Sequence, residues 1–271
     1  MNETQKNKVS VIMGIFNCED TLSESIESII NQTYNNLELV MCDDGSTDNT
    51  YEIALAYKEK YPNIIKLIKH ETNQYLSAAL NDCLKISDGY YIARMDGDDI
   101  SVLDRIEKQV AFLRNNPDCQ LVSTAMQIFN ENGNTDIQTK KAHPDKYSLK
   151  KATCFNHATV LTYKYVYEKL NGYTVSERTQ RGQDYDLWFR FFAEGFKGEN
   201  IDEPLYMCRE EMSAFKRRTF KSRFNNCRTM FYGYKLLHYP WYWYYYPVKE
   251  LLKGFVPSGL AYKLRQRKVN V

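Results

Sequence analysis

No stretch of the 271 residues approaches the roughly 20 consecutive apolar residues that a membrane-spanning helix needs. The seven cysteines, at positions 18, 42, 83, 119, 154, 208 and 227, are odd in number and far apart, with no C-x-x-C pair. That spacing argues against both a zinc site and a disulfide framework, and a reducing cytosol is expected. The opening residues MNETQKNK are polar and run straight into an apolar strand, so neither a signal peptide nor a transit peptide is expected. Glycine is missing where a phosphate cradle would need it. After the first apolar run stands Gly14-Ile15-Phe16-Asn17-Cys18-Glu19-Asp20, in place of the G-x-G-x-x-G of a dinucleotide fold or the G-x-x-x-x-G-K of a P-loop. A nucleotide diphosphate bound here would have to be neutralised by a cation instead. Acid is nearly absent from the end of the chain. From Met212 onward thirteen Lys and Arg face the single acid Glu250, a net of +12, which leaves −10 on the 211 residues before.

Acid is concentrated elsewhere. Tyr90 to Met95 is a short apolar run that ends in Asp96-Gly97-Asp98-Asp99. Three carboxylates so close repel one another unless water or a cation neutralises them. One reading is a solvated acidic turn before the next helix. The other is a site for a hard divalent cation, Mn2+ or Mg2+, which takes carboxylate oxygens and shares its other positions with water and substrate phosphates.

The surrounding pattern favours a site. Val9 to Phe16 reads as a strand buried on both faces, and Leu37 to Cys42, Ile64 to Ile68 and Tyr90 to Met95 as the next three strands. Helical spacing follows each of them, at Leu22, Ile26, Ile29 and Ile30, then to about Lys60, then at Leu76, Ala79, Leu80, Cys83 and Leu84, then at Ile106, Val110 and Leu113. Thr21-Leu22-Ser23-Glu24 predicts a capping box, and Ser101-x-x-Asp104 a second cap. Repeated strand and helix units imply an α/β fold with a mostly parallel sheet covered by helices on both faces. Ligands bind beyond the carboxyl ends of such strands. The polar punctuation falls there, as Phe16-Asn17, Asp43-Asp44, Asn73 and Asp96 to Asp99.

Beyond Asn116-Pro117 the pattern changes. Leu121 to Phe129, with turn residues 130–134 behind it, predicts antiparallel strands. Lys146 to Lys151 and Tyr165 to Leu170 predict short helices around a strand from His157 to Tyr163, with Asn171-Gly172 as a stop. Arg181 to Arg190 predicts a helix with Leu187, Trp188, Phe191 and Phe192 on its apolar face and Asp184 in its first turn, where an aspartate also serves as a cap.

The ordered set of these segments resembles the family 2 glycosyltransferases, inverting enzymes of GT-A fold that use a nucleotide sugar. The resemblance runs from about Lys8 to Arg209. It is carried by V-S-V-I-M-G-I-F-N, D-D-G-S-T-D at Asp43 to Asp48, N-Q-Y-L-S-A-A-L-N at Asn73 to Asn81, R-M-D-G-D-D at Arg94 to Asp99, His157-Ala158-Thr159, and Q-D-Y-D-L-W-F-R. It implies donor contacts at Phe16, Asn17, Asp44, Asn73 and Asp96, with Phe16 stacked on the base and Asp44 on base or ribose. It implies a D-x-D metal site at Asp98 and Asp96, Asp184 as general base, and acceptor or accessory roles for Asp99, Gln183, His157 and Arg209. UDP is the nucleotide the resemblance suggests. The chain departs from the family pattern at Gly14, where proline or threonine is frequent, and at Tyr75, where glycine is. It departs again at Gln183, where glutamate usually precedes the base, and at Glu211, where histidine often stands.

The expected organisation is a GT-A domain over 1–211, with a donor half 1–116 and an acceptor half 117–211, then a helical extension over 212–271. In that extension Phe220, Phe224 and Phe231 keep helical spacing among Lys216, Arg217, Lys221, Arg223 and Arg228, and Tyr239 to Pro247 is almost wholly aromatic. Such a segment suits a membrane surface, or else it caps the domain with its bases solvated. Nucleic acid is not expected, because the body is acidic. The resulting expectation is a cytoplasmic enzyme, peripheral on the inner face of the plasma membrane, with a glycan or lipid-linked saccharide as acceptor. The alternatives are a catalytically silent partner subunit, or a sugar nucleotidyltransferase, whose glycine-rich, arginine-containing loop this chain lacks.

Overall fold

The computed structural model describes residues 7–131, 133–209 and 219–252. Strands β1 (Val9–Ile15), β2 (Leu37–Asp43), β3 (Ile65–Lys69) and β4 (Tyr91–Asp96) lie side by side in the order β3-β2-β1-β4, all parallel. Helices α1 (Leu22–Ile30), α2 (Thr50–Lys60) and α3 (Leu76–Ile86) make the crossovers. The sheet continues through the short β5 (Ile100–Ser101), the hairpin β6 (Leu121–Asn130) and β7 (Gly133–Gln138), then β8 (Leu161–Tyr163) and β9 (Gly198–Arg209). Strand β8 joins β4 to β6 by antiparallel pairing on both sides, and β9 runs parallel to β6. The remaining helices are α4 (Arg105–Asn115), α5 (Lys164–Lys169), α6 (Gln183–Ala193), α7 (Phe220–Leu236) and α8 (Tyr245–Leu252).

Two cores follow from the period of two along the strands. Val9, Val11, Met13 and Ile15 of β1 pack against Leu22, Ile26 and Ile29 of α1 and Ile106, Val110 and Leu113 of α4. Ile12 faces the opposite layer, with Ala79, Leu80 and Cys83 of α3 and Leu187, Trp188, Phe189 and Phe191 of α6. Met230, Tyr234, Leu237 and Tyr239 belong to that second core, so α7 is packed against α6. A Cβ at Gly233 would collide with the Phe189 ring, which is why this contact needs glycine. The Tyr234 and Tyr239 hydroxyls donate to the carbonyls of Lys150 and Lys146. Within residues 219–252 the extension therefore buries one face on the domain and presents another. Phe220, Phe224, Phe231, Trp241, Tyr242, Tyr245 and Leu252 are exposed.

Several local expectations give way to long-range contacts. Thr21 precedes α1 without capping it, because its hydroxyl donates to Gly97 O at 3.1 Å, and Glu24 binds Arg209 instead of closing a box. Ser101 is drawn into β5 by pairing with β9, and Asp104 spends its carboxylate on Lys108 at 2.9 Å. His157–Thr159 is a 3-10 turn, so the strand expected from His157 begins only at Leu161.

Candidate active site

The carboxyl ends of β1, β2 and β4 open on one edge of the sheet. Phe16 follows β1 and is 46% exposed, its ring free to meet a planar ligand. Asn17 has φ +48, and its amide is used within the protein. Its N–H donates to Ser46 Oγ at 3.0 Å and its Oδ1 accepts from Thr47 N–H at 2.9 Å. These bonds tie the loop after β1 to the loop after β2.

Asp44 is buried at the end of β2. Its Oδ1 accepts from Gln74 N–H at 2.8 Å and lies 2.8 Å from His70 Nδ1, while His70 Nε2 lies 2.9 Å from Asp82 Oδ2. Burial alone would lower the His70 pKa, but the two carboxylates outweigh it and the net shift is upward. Asn73 is exposed, and its side chain accepts from Tyr75 N–H at 3.2 Å. Tyr75 sits at φ +69, a left-handed conformation that explains why glycine suits this position. Gly14 has its own reason, since a Cβ there would stand 2.7 Å from Leu76 Cδ1.

Asp96, Asp98 and Asp99 bring their carboxylate oxygens within 4.8 Å of one another. Asp96 and Arg94 lie on the same side of β4, as residues two apart must, and the buried guanidinium bonds both Asp96 oxygens. The Asp96 N–H donates to the Tyr206 hydroxyl at 3.1 Å. Asp99 is buried, and burial followed by the charges of Asp96 and Asp98 pushes its pKa up to about 8. Its Oδ1 accepts from Arg209 N–H at 2.8 Å. The Arg209 side chain reaches Asp98 O at 3.0 Å and Glu24 Oε2 at 2.5 Å, and it stacks over Phe129. Arg209 thus clamps the acidic loop from behind. Hard oxygen donors so close together, with two of the three partly exposed, fit a divalent cation.

Gln183 and Asp184 open α6, after Gly182 at φ +87. Burial raises the Asp184 pKa, against the Tyr185 N–H and the Arg94 charge, which lower it. The charge of the arginine that grips Asp96 is thus also felt at Asp184. His157 completes this group. Burial and then the Arg94 charge hold its pKa well below the ordinary range, and its Nε2 lies 2.8 Å from the Tyr173 hydroxyl. A neutral histidine there orients neighbours and carries no charge.

Asp44, Asp96, Asp98 and Asp99 follow the strand ends β2 and β4, His157 lies in the 3-10 turn before β8 and Asp184 in the first turn of α6, while Glu211 lies outside the described residues. Reasoning from the sequence missed Arg94, whose spacing from Asp96 was the available signal. It also missed His70 and Asp82, for which no local pattern exists.

Comparison with known proteins adds the following. The model of Glycosyl transferase family 2 matches residues 10–169. The chain is 45% identical over 262 residues to EpsE of Bacillus subtilis, named as a glycosyltransferase, covering 97% of this chain and 94% of that protein. It is 26% identical over 252 residues to WfaP of Escherichia coli, covering 90% and 94%, a protein named as a UDP-Glc:α-D-GlcNAc-diphosphoundecaprenol β-1,3-glucosyltransferase. Among solved structures it resembles the mannosyltransferase PcManGT of Pyrobaculum calidifontis, determined with GDP-Man and Mn2+. That match has a TM-score of 0.62 at 17% identity and covers 97% of this chain and 81% of that one.

Proposed function

Since this chain belongs to glycosyltransferase family 2, we propose that it transfers a sugar, with inversion, from a UDP-linked donor to a hydroxyl of a lipid-linked glycan precursor in cell-surface polysaccharide synthesis. The cluster of Asp96, Asp98 and Asp99 beyond the end of β4, with Asp96 gripped by the buried Arg94, carries this reading.

Phe16 stacks on the nucleotide base, and Asp44, held by His70 and Gln74, accepts hydrogen bonds from base or ribose. Asn17 and Asn73 shape the loops around the nucleotide, and Asp96, fixed by Arg94, receives the ribose side of the donor. Asp98, with Asp96, would hold the divalent cation, which when bound offsets charge on the departing diphosphate. Asp184 takes the proton of the acceptor hydroxyl as that oxygen attacks the anomeric carbon, and the bond to the diphosphate oxygen breaks with its electron pair. One displacement inverts the centre and needs no covalent intermediate. Burial raises the Asp184 pKa, which makes its ionised form a stronger base than an exposed aspartate. Gln183 keeps the neighbouring position uncharged, and His157, Asp99 and Arg209 position the surrounding groups.

The acceptor assignment is supported by WfaP, whose named acceptor is lipid-linked, and by the basic segment with its exposed aromatic face. Among the described residues no helix is long and apolar enough to cross a membrane. Attachment to the inner leaflet would then rest on that aromatic face and on bases contributing about 1 kcal/mol each near anionic lipid.

The test is hydrolysis of a panel of UDP-, GDP- and dTDP-sugars with Mn2+ or with chelator, by wild type, Asp98→Ala and Asp184→Asn. Metal-dependent hydrolysis of one nucleotide class, lost in both variants, is expected. Full hydrolysis by Asp184→Asn would remove it from the role of base, and no hydrolysis of any donor by wild type would bring forward the silent-partner reading.

A further inference from the structure

A cavity of about 410 Å³ lies against the start of α6, within the range of about 300–1,000 Å³ usual for small-molecule sites. Asp184 and Tyr185 form one wall and residues 151–153 another. The third comes from the C-terminal helices, through Ser222, Arg223 and Asn226 of α7 and Glu250 of α8. Those helices are held against the loop that leads into Asp184. The Asn225 amide donates to Glu177 O at 2.9 Å, the Thr229 hydroxyl donates to Arg178 O at 3.2 Å, and Asn226 Oδ1 sits 3.2 Å from where a Cβ on Gly182 would be. The cavity and the position of Asp184 are therefore built by the same contacts.

Its lining is basic on one side. Lys151, Arg181 and Arg223 are set against Asp184 and Glu250, and Arg223 bonds Glu250 at 3.1 Å. Ser222 and Asn226 add neutral hydrogen-bonding groups. The outer sides of α7 and α8 carry the exposed Phe220, Phe224, Tyr245, Val248 and Leu252. A carboxylate at the start of α6, cationic side chains from the loops facing it and an apolar exterior on α7 and α8 match a ligand with a hydroxyl, an anionic group and a hydrocarbon chain.

We propose that this cavity is the acceptor subsite and takes a saccharide joined to a diphosphate. The sugar hydroxyl meets Asp184, the diphosphate lies against Lys151 and Arg181, and the chain leaves along the exposed apolar side of α7 and α8. Amino and guanidinium groups bind phosphate oxygens through charge-assisted hydrogen bonds. This assignment rests on Asp184 being the base, and it gives the C-terminal helices a part in substrate recognition besides contact with a membrane.

The test uses protein saturated with UDP and Mn2+, titrated calorimetrically with three probes. These are decyl α-N-acetylglucosaminyl diphosphate, the neutral decyl α-N-acetylglucosaminide, and inorganic diphosphate. Wild type should bind the first at least about tenfold more tightly than either other probe. Ser222→Trp, which fills the cavity, and the double variant Lys151→Ala, Arg181→Ala should each lose at least about tenfold in affinity for it while binding UDP as before. If Ser222→Trp does not fold, the double variant decides. Equal binding of the charged and neutral decyl probes, or of inorganic diphosphate and the decyl diphosphate, overturns the proposal, as does unchanged binding by the variants. Failure of wild type to bind UDP would count against the donor site instead, and the probes would then be read without nucleotide.

Discussion

Replacing His70 with alanine should unsettle the nucleotide end of the site without touching the proposed base. His70 is 7% exposed and lies between Asp44 and Asp82, so the variant removes the imidazole from the buried Asp44 carboxylate and leaves it, among the described residues, the Gln74 N–H. Removing one partner of a buried ion pair costs about 3–5 kcal/mol. Asp82 is better solvated and keeps Lys85 at 2.5 Å, which places the loss near the lower end, about 3 kcal/mol. At about 2–4 °C per kcal/mol for a chain of this size, the melting temperature should fall by roughly 6–12 °C. The pH dependence has a definite sign. The folded-state pKa of His70 is raised above its unfolded value, so its contribution is fully present below about pH 6.5 and is lost as pH rises through the folded-state pKa. Urea unfolding of wild type and His70→Ala should show the widest gap near pH 6 and a narrower one near pH 9, and UDP should bind the variant more weakly near pH 6. A gap below about 1 kcal/mol near pH 6, or one that widens as pH rises, would refute the reasoning.

Asp184→Asn should lower the transfer rate by about 10²–10⁴ with UDP affinity retained, as for loss of a general base. In wild type the acid limb of kcat should lie above the ordinary aspartate value of about 3.9, because burial raises the Asp184 pKa and the base must be ionised. A profile flat down to about pH 4 would contradict this. Phe16→Ala should weaken UDP binding by about 1–3 kcal/mol, the worth of a base stacked on an aromatic ring. Unchanged affinity in a titration would remove Phe16 from the donor site. Gly233→Ala should destabilise the chain by about 1–3 kcal/mol by overpacking against Phe189, and thermal melting checks it.

The central strands were legible because a strand buried on both faces must be a short apolar run, and β1, β2 and β4 read that way residue by residue. Asp44, Asp96 and Asp98 were legible because each ends such a run. What could not be read was decided by partners far away in sequence. Thr21 and Glu24 match a capping box, but Gly97 O and Arg209 hold them instead. Ser101 is in a strand only because β9 returns to pair with it. His70 and Asp82 are brought together by the crossover from β3 to α3, which composition does not announce. The helical spacing of Phe220, Phe224 and Phe231 was visible, yet it marks the exposed side of α7. Cys227, Met230 and Tyr234 bury the other side on α6, and the tyrosine bonds that anchor it depend on residues near Lys146 and Lys150.

The most direct measurement of the central claim is the anomer first released when water replaces the acceptor, followed by NMR during hydrolysis of an α-linked UDP-sugar with Mn2+. Single displacement predicts that the β-anomer appears first and then equilibrates. Initial release of the α-anomer would contradict direct attack assisted by Asp184.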